Sequence, residues 1–275
     1  MDPPVDLPAD LATALVGASN ESWAEIVELA RSLEPDDWGR PTPCVGWSVK
    51  DVLAHLGHVE GFLVHQFDQP EPLADFKGEG SPLDQATGAG VAARRAWSPA
   101  QVFDEIQRAA EATRLLLSQP DLAWHETALT PVGPAPRHVA VEMRVNDVYL
   151  HLLDVRTAIG RPIDVPAVPG AKKVAIGRAV RLSPWAWAKK VGAVDSQRLR
   201  LSLTGAVGVD HDIVMREGKA VVEPRQGTPT ATVAGSALAY LLAVSGRHAL
   251  VPAGGGLVAR GALAQDLLEK FRLVG

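Results

Sequence analysis

His55, Asp147 and His151 are the residues whose types and spacing point to chemistry. Two imidazoles and a carboxylate make a ligand set for a divalent metal, with positions left open for water or a substrate. Asp147 and His151 stand at i and i+4 in Arg144-Val-Asn-Asp147-Val-Tyr-Leu-His151-Leu-Leu-Asp154, so on a helix both side chains reach one point. Asp154, three residues after His151, can hold the second ring nitrogen, as outer carboxylates do around metal-bound histidines. Arg144 stands three residues before Asp147. A polar helix edge with local ion pairing accounts for the same stripe, so the second segment carries weight. In Ser48-Val-Lys-Asp-Val-Leu-Ala-His55, the histidine falls just beyond a helix start, and His58 and His65 follow on the same line. The separation of His65 from His55 is too wide for one ion. His55 is the best placed, with His58 in reserve.

Other candidates are weaker. Cys44 precedes the same helix, whose N-terminus can lower a thiol pKa, but it reads first as a packing residue. His125, His138 and His248 have no partner at ligand spacing, and Asp210-His211-Asp212 decorates a strand or its turn. No P-loop, GxGxxG, GxSxG or CxxC is present.

The elements that must position these residues are helical up to about residue 160. Leu7 to Leu33 carries apolar residues at helical spacing, with a break expected near Gly17 to Asn20. Ser48 with Asp51 is a capping box for a helix to about Phe67. Residues 68–90 are rich in Pro and Gly and read as an excursion. Ser98, Pro99 and Gln101 open a third helix, and Pro120 to Pro136 form a second loop. The fourth helix spans about Arg137 to Ile159, and beside its core stripe (Val141, Val145, Val148, Leu152, Val155) runs the polar stripe of Arg144, Asp147, His151 and Asp154. Four helices with long connections predict a four-helix bundle, an architecture that hosts metal sites on facing helices.

After Pro169 the periodicity changes. A helical stretch interrupted by Pro184 leads into alternation at Arg198-Leu-Arg-Leu-Ser-Leu-Thr204, a hairpin signal at Glu217-Gly218-Lys219, a strand over Thr228 to Val233, and helices over Ser236 to Val244 and Ala262 to Phe271. The fold class expected is α+β: a helical bundle over 1–165, then a smaller domain with an antiparallel sheet over 166–275.

A hydrophobic content of 47%, a charged content of 21% and a net charge of −5 describe a globular chain and argue against nucleic acid as a partner. Gly170 to Arg200 departs locally, with eight Lys or Arg against Asp195: a solvated face, or a wall that attracts a small acidic ligand. A single cysteine rules out an intrachain disulfide and suggests a reducing compartment. The first residues lack a basic and apolar leader, and no apolar run is long enough for a membrane span, so a cytoplasmic protein is expected.

Three segments resemble the mycothiol-dependent maleylpyruvate isomerase family, a branch of the DinB-like bundle superfamily. They are Trp38…Pro41-Thr-Pro-Cys-Val-Gly-Trp47-Ser-Val-Lys-Asp-Val-Leu-Ala-His55-Leu, the run from Arg144 to Pro162, and Gly208-Val-Asp-His…Gly227-Thr-Pro-Thr-Ala-Thr-Val-Ala-Gly235 with Ser245-Gly-Arg247. The resemblance implies a DinB-like metal-binding bundle followed by the family's C-terminal domain. It implies a divalent metal, zinc, held by His55, His151 and the acidic residue at 147. Family members typically carry Glu there, so Asp147 is one methylene shorter. It further implies mycothiol, an actinobacterial thiol, as cosubstrate in isomerisation or thiol transfer on a small electrophile. Arg144, or a residue of the basic segment, would then meet a substrate carboxylate, and Asp154 would support the ligands. The expected partner is a small-molecule substrate, with no nucleic acid or membrane, for a monomer or homodimer. A metal-poor binding protein that keeps the pocket without turnover, and an enzyme that uses the pocket without thiol, stay open as alternatives.

Overall fold

The computed structural model describes residues 9–64, 82–130, 133–205, 207–251 and 256–273. The chain divides into two compact units, Met1–Ala171 and Lys172–Gly275.

In the first unit, α1 (Ala9–Arg31) is one unbroken helix. The break expected near Gly17 is absent because the buried line of Leu15, Ala18, Ser22, Ile26 and Leu29 continues through it. Helix α2 (Val49–Val64) begins where the cap predicts. The Ser48 backbone N–H and hydroxyl donate to Asp51 Oδ2 at 3.0 and 2.9 Å, and the Asp51 N–H donates back to Ser48 Oγ at 3.2 Å. The expected end near Phe67 lies outside the described residues.

Within the stretch expected to be an excursion, the chain forms a further helix, α3 (Pro82–Arg94). Its Gly-rich sequence has little helical signal, and tertiary contacts hold it instead. Arg94 is buried and donates through Nε and Nη2 to the two oxygens of Glu105, each at 2.6 Å. Gly90 lies so close to His58 that a Cβ would come within 2.0 Å of its ring. Helix α4 (Pro99–Leu117) carries the complete capping box of Ser98 and Gln101. The second Pro-rich stretch is not only a loop: β1 (Thr127–Thr130) and β2 (Gly133–Pro136) pair there as an antiparallel ladder. Helix α5 (Arg137–Ala158) follows, with every residue from Met143 to Val155 buried. A helix buried on all sides lies at the centre of its unit, so both its apolar and its polar stripes face protein. Helix α1 packs on α4 and α5, and α2 packs on α3, α4 and α5.

The second unit holds most of α6 (Pro169–Ala186), which contains Pro184, continues into a π-turn over Trp187–Val191 and stops at Gly192, φ +73°. Five strands follow: β3 (Arg198–Thr204), β4 (Val209–Arg216), β5 (Lys219–Pro224), β6 (Ala231–Ser236) and β7 (Leu257–Arg260). Their order is β5-β4-β3-β6-β7. Every pairing is antiparallel except β3 with β6, which run parallel. The β4–β5 turn uses Glu217 and Gly218, at φ 51° and 73°, as the two left-handed residues of a tight hairpin. Helices α7 (Ala237–Val244) and α8 (Ala262–Lys270) complete this α+β unit. Two residues of the basic segment are absorbed by the sheet: Arg198 and Arg200 each reach the buried Asp212 at 2.9 Å.

Candidate metal centre

The polar stripe of α5 meets α2 inside the first unit. His55 Nε2 stands 3.5 Å from Asp147 Oδ2, and His151 Nε2 stands 3.4 Å from Asp147 Oδ1. The two imidazoles lie 4.8 Å apart, edge to face. One carboxylate thus bridges two ring nitrogens, and the three ligand atoms lie within 4.8 Å of one another. Zinc bonds of about 2.0–2.2 Å in a tetrahedron set neighbouring ligand atoms roughly 3.4 Å apart. The two N···O separations, one to each oxygen of Asp147, are of that size.

Two of the three side chains, His151 and Asp147, are held from behind. His151 Nδ1 is 3.0 Å from Asp154 Oδ2, and the carboxylate fixes the tautomer that aims the Nε2 lone pair at the centre. Cys44 Sγ stands 3.2 Å from the same Asp154 oxygen and 3.7 Å from His151 Nδ1. Its thiol comes from the loop before α2, where Gly46, at φ +80°, turns the chain between Cys44 and Trp47. Trp47 lies over the pair, its ring 5.2 Å from His55 and 6.4 Å from His151. Asp147 Oδ2 accepts from Arg144 Nη1. Arg144 Nε donates to Glu60 Oε2 at 2.8 Å, and the Thr113 hydroxyl donates to Glu60 Oε1 at 2.5 Å.

His55 differs from its partner. It is 6% exposed, yet neither ring nitrogen has a hydrogen-bond partner. Burial overcomes the attraction of Asp147 and holds its pKa down at about 4, so the ring is neutral near pH 7 and offers a lone pair. Burial also acts against the charge on His151, but Asp147 and Asp154 outweigh it and raise that pKa well above the usual histidine value. For Asp147, burial is outweighed by Arg144 and the two histidines, which keep the carboxyl well below its ordinary range. A buried imidazole without partners is costly in protein and ordinary for a metal ligand. Without a cation the protonated His151 and Arg144 offset two of the buried carboxylates Glu60, Asp147 and Asp154; once His151 gives up its proton to act as a ligand, two formal negative charges are in excess. A divalent cation balances them, so the residues fit such an ion.

The structure brings together His55, Asp147 and His151, with Arg144 and Asp154 behind them. It does not bring in His58, whose ring turns to α3, with Nδ1 3.3 Å from Arg94 Nη1. His65 lies outside the described residues. Cys44, expected to pack, touches the outer carboxylate instead. Arg144, expected to meet a substrate, spends Nε and Nη1 on Glu60 and Asp147; its Nη2 is buried without a partner. Glu60 and Thr113 escaped the sequence reading. The available signal was a carboxylate within the otherwise apolar Val59 to Val64 stretch.

A helical unit with a buried His/Asp/His cluster, joined to an α+β unit, defines the class of protein. The profile described as the mycothiol maleylpyruvate isomerase N-terminal domain matches residues 19–156, half of the chain, and that stretch contains the whole cluster. The chain belongs to the mycothiol maleylpyruvate isomerase family. Its fold is similar to a crystal structure of the mycothiol-dependent maleylpyruvate isomerase, at 17% identity and a TM-score of 0.57, over 92% of this chain and 93% of that one. A histidine-to-alanine mutant of that isomerase is similar over the same shares, at 16% identity and a TM-score of 0.57. No curated protein sequence matches. Among the described residues no helix is long and apolar enough to cross a membrane.

Proposed function

We propose that the protein is a metal-dependent, mycothiol-dependent transferase or isomerase acting on a small, carboxylate-bearing electrophile, with the metal held by His55, Asp147 and His151. The observation that carries this reading is the partnerless, buried His55 facing the carboxylate that His151 also faces. Family membership supports the thiol. Zinc suits the nitrogen and oxygen donors, and a bound divalent metal of this kind renders a coordinated thiol deprotonated at neutral pH. The chain's own residues supply the rest. Asp154 accepts from His151 Nδ1 and keeps its Nε2 lone pair aimed inward. Trp47 shields the two rings from water on one side. Arg144 steadies Asp147 through its Nη1.

Metal analysis of protein purified without a nickel column tests the reading. About one zinc per chain is expected in wild type, and much less in His55→Ala. Absence of stoichiometric metal in wild type would sink it. Thiol consumption with mycothiol and an electrophilic acid tests the activity. A second reading, a pocket that binds a small molecule without turnover, draws support from the Arg144–Asp147 ion pair, which satisfies the carboxylate without any metal. It predicts ligand binding with no metal and no rate.

A further inference from the structure

Behind Asp147 a polar relay crosses three helices: Thr113 of α4, Glu60 of α2, and Arg144 and Asp147 of α5. Glu60 is 3% exposed, five residues beyond His55, and its carboxylate accepts from Arg144 Nε. Arg144 in turn donates to Asp147 Oδ2, the same oxygen that faces His55 Nε2. A guanidinium charge therefore sits one hydrogen bond from a carboxylate proposed as a metal ligand. Uncompensated, that charge repels a cation and draws electron density from Asp147, and in a water-poor interior little screens it. Glu60, 2.8 Å from Arg144 Nε, is the carboxylate that cancels it.

Resting on the metal centre proposed above, we propose that Glu60 is a positioning residue for that centre. Acting through Arg144, it neutralises the guanidinium beside Asp147 and so sets how tightly the cluster holds a divalent cation. The role is distinct from a fold-stabilising ion pair, because it predicts suppression: once the guanidinium is gone, Glu60 has nothing left to neutralise.

The experiment measures zinc affinity by competition with a chromophoric chelator, and the visible spectrum of the cobalt(II) form, for wild type, Glu60→Gln, Arg144→Met and the double variant. Glu60→Gln is expected to weaken zinc binding about 10- to 100-fold, the usual effect of losing an outer partner, and to shift the cobalt bands. Adding Arg144→Met is expected to regain most of that affinity. Glu60→Asp, which keeps the charge but draws it back from Arg144, is expected to weaken binding less and in the same direction, and serves if Glu60→Gln does not fold. The inference is overturned if the Glu60 variants bind zinc as wild type does, or if the double variant is as weak as Glu60→Gln. A wild type that binds no metal overturns this inference together with the reading it rests on. A wild type that binds metal, with Glu60→Gln unchanged, overturns this inference alone.

Discussion

Zinc at about 100 times its Kd should stabilise the first unit, and His55→Ala should abolish that gain. A ligand that binds only the folded state adds about 2.7 kcal/mol at 100 times its Kd. The unit spans Met1–Ala171. At that size 1 kcal/mol moves Tm by about 2–4 °C, so saturating zinc should raise it by roughly 5–10 °C. His55 makes no hydrogen bond, so the alanine variant loses none; it leaves a cavity but removes an unsatisfied polar ring. The cavity costs about 2–5 kcal/mol and loss of the unsatisfied ring returns about 1–3 kcal/mol, so the metal-free variant should melt at or modestly below metal-free wild type. His151→Ala should not behave this way, because it strips the buried Asp154 of its imidazole partner and Asp147 of one of its two facing rings. The assay is calorimetry or dye-monitored melting of chelator-stripped protein across a zinc titration. The reasoning is refuted if zinc does not shift wild type, or if it shifts His55→Ala equally.

The other predictions concern proton linkage and packing. In metal-free protein, His55 resists protonation until about pH 4, whereas in the unfolded chain it titrates near 6.5. The unfolded state therefore binds more protons within that window, and stability rises with pH across it by about 3 kcal/mol. Urea melts at pH 6.5 and 4.5 should show wild type losing more stability on acidification than His55→Ala; an equal loss contradicts the burial argument. Gly90→Ala drives a methyl into the His58 ring and should cost about 1–3 kcal/mol, read as an earlier urea midpoint; an unchanged midpoint would show that the ring moves aside freely. Burial alone would raise the Asp212 carboxyl, but hydrogen bonds from Arg200, the Gln226 backbone N–H and Arg198 hold it at about 2. Asp212→Asn should destabilise the second unit by about 2–3 kcal/mol at pH 7, with the difference from wild type shrinking as pH falls from about 4 toward 2. A constant difference across that range would argue against the arginine clamp.

Much of the site was legible in the chain because its signals are local. The spacing of Asp147, His151 and Asp154 is a property of one helix, the Ser48–Asp51 cap marks where α2 begins, and the α5 stripe is complete within a single run of residues. The same locality identified α4 through Ser98 and Gln101 and the hairpin through Glu217 and Gly218. Helix α3 was not legible, since its Gly-rich sequence carries little local signal and its contacts, Arg94 with Glu105 and Gly90 with His58, are made to residues of other helices. The β1–β2 ladder was hidden among prolines that read as loop.

The sequence alone determined which residues share a helix face, and therefore that Asp147, His151 and Asp154 form one line and that His55 lies on another. Only the tertiary structure decided that the two lines meet, because the distance from His55 to Asp147 depends on how α2 packs against α5. It alone assigned Cys44 to Asp154, turned His58 away toward α3, and gave Arg144 to Glu60 rather than to solvent. Each of these depends on which buried charge finds which partner when water is excluded. That choice is made between helices and leaves no periodic trace along the chain.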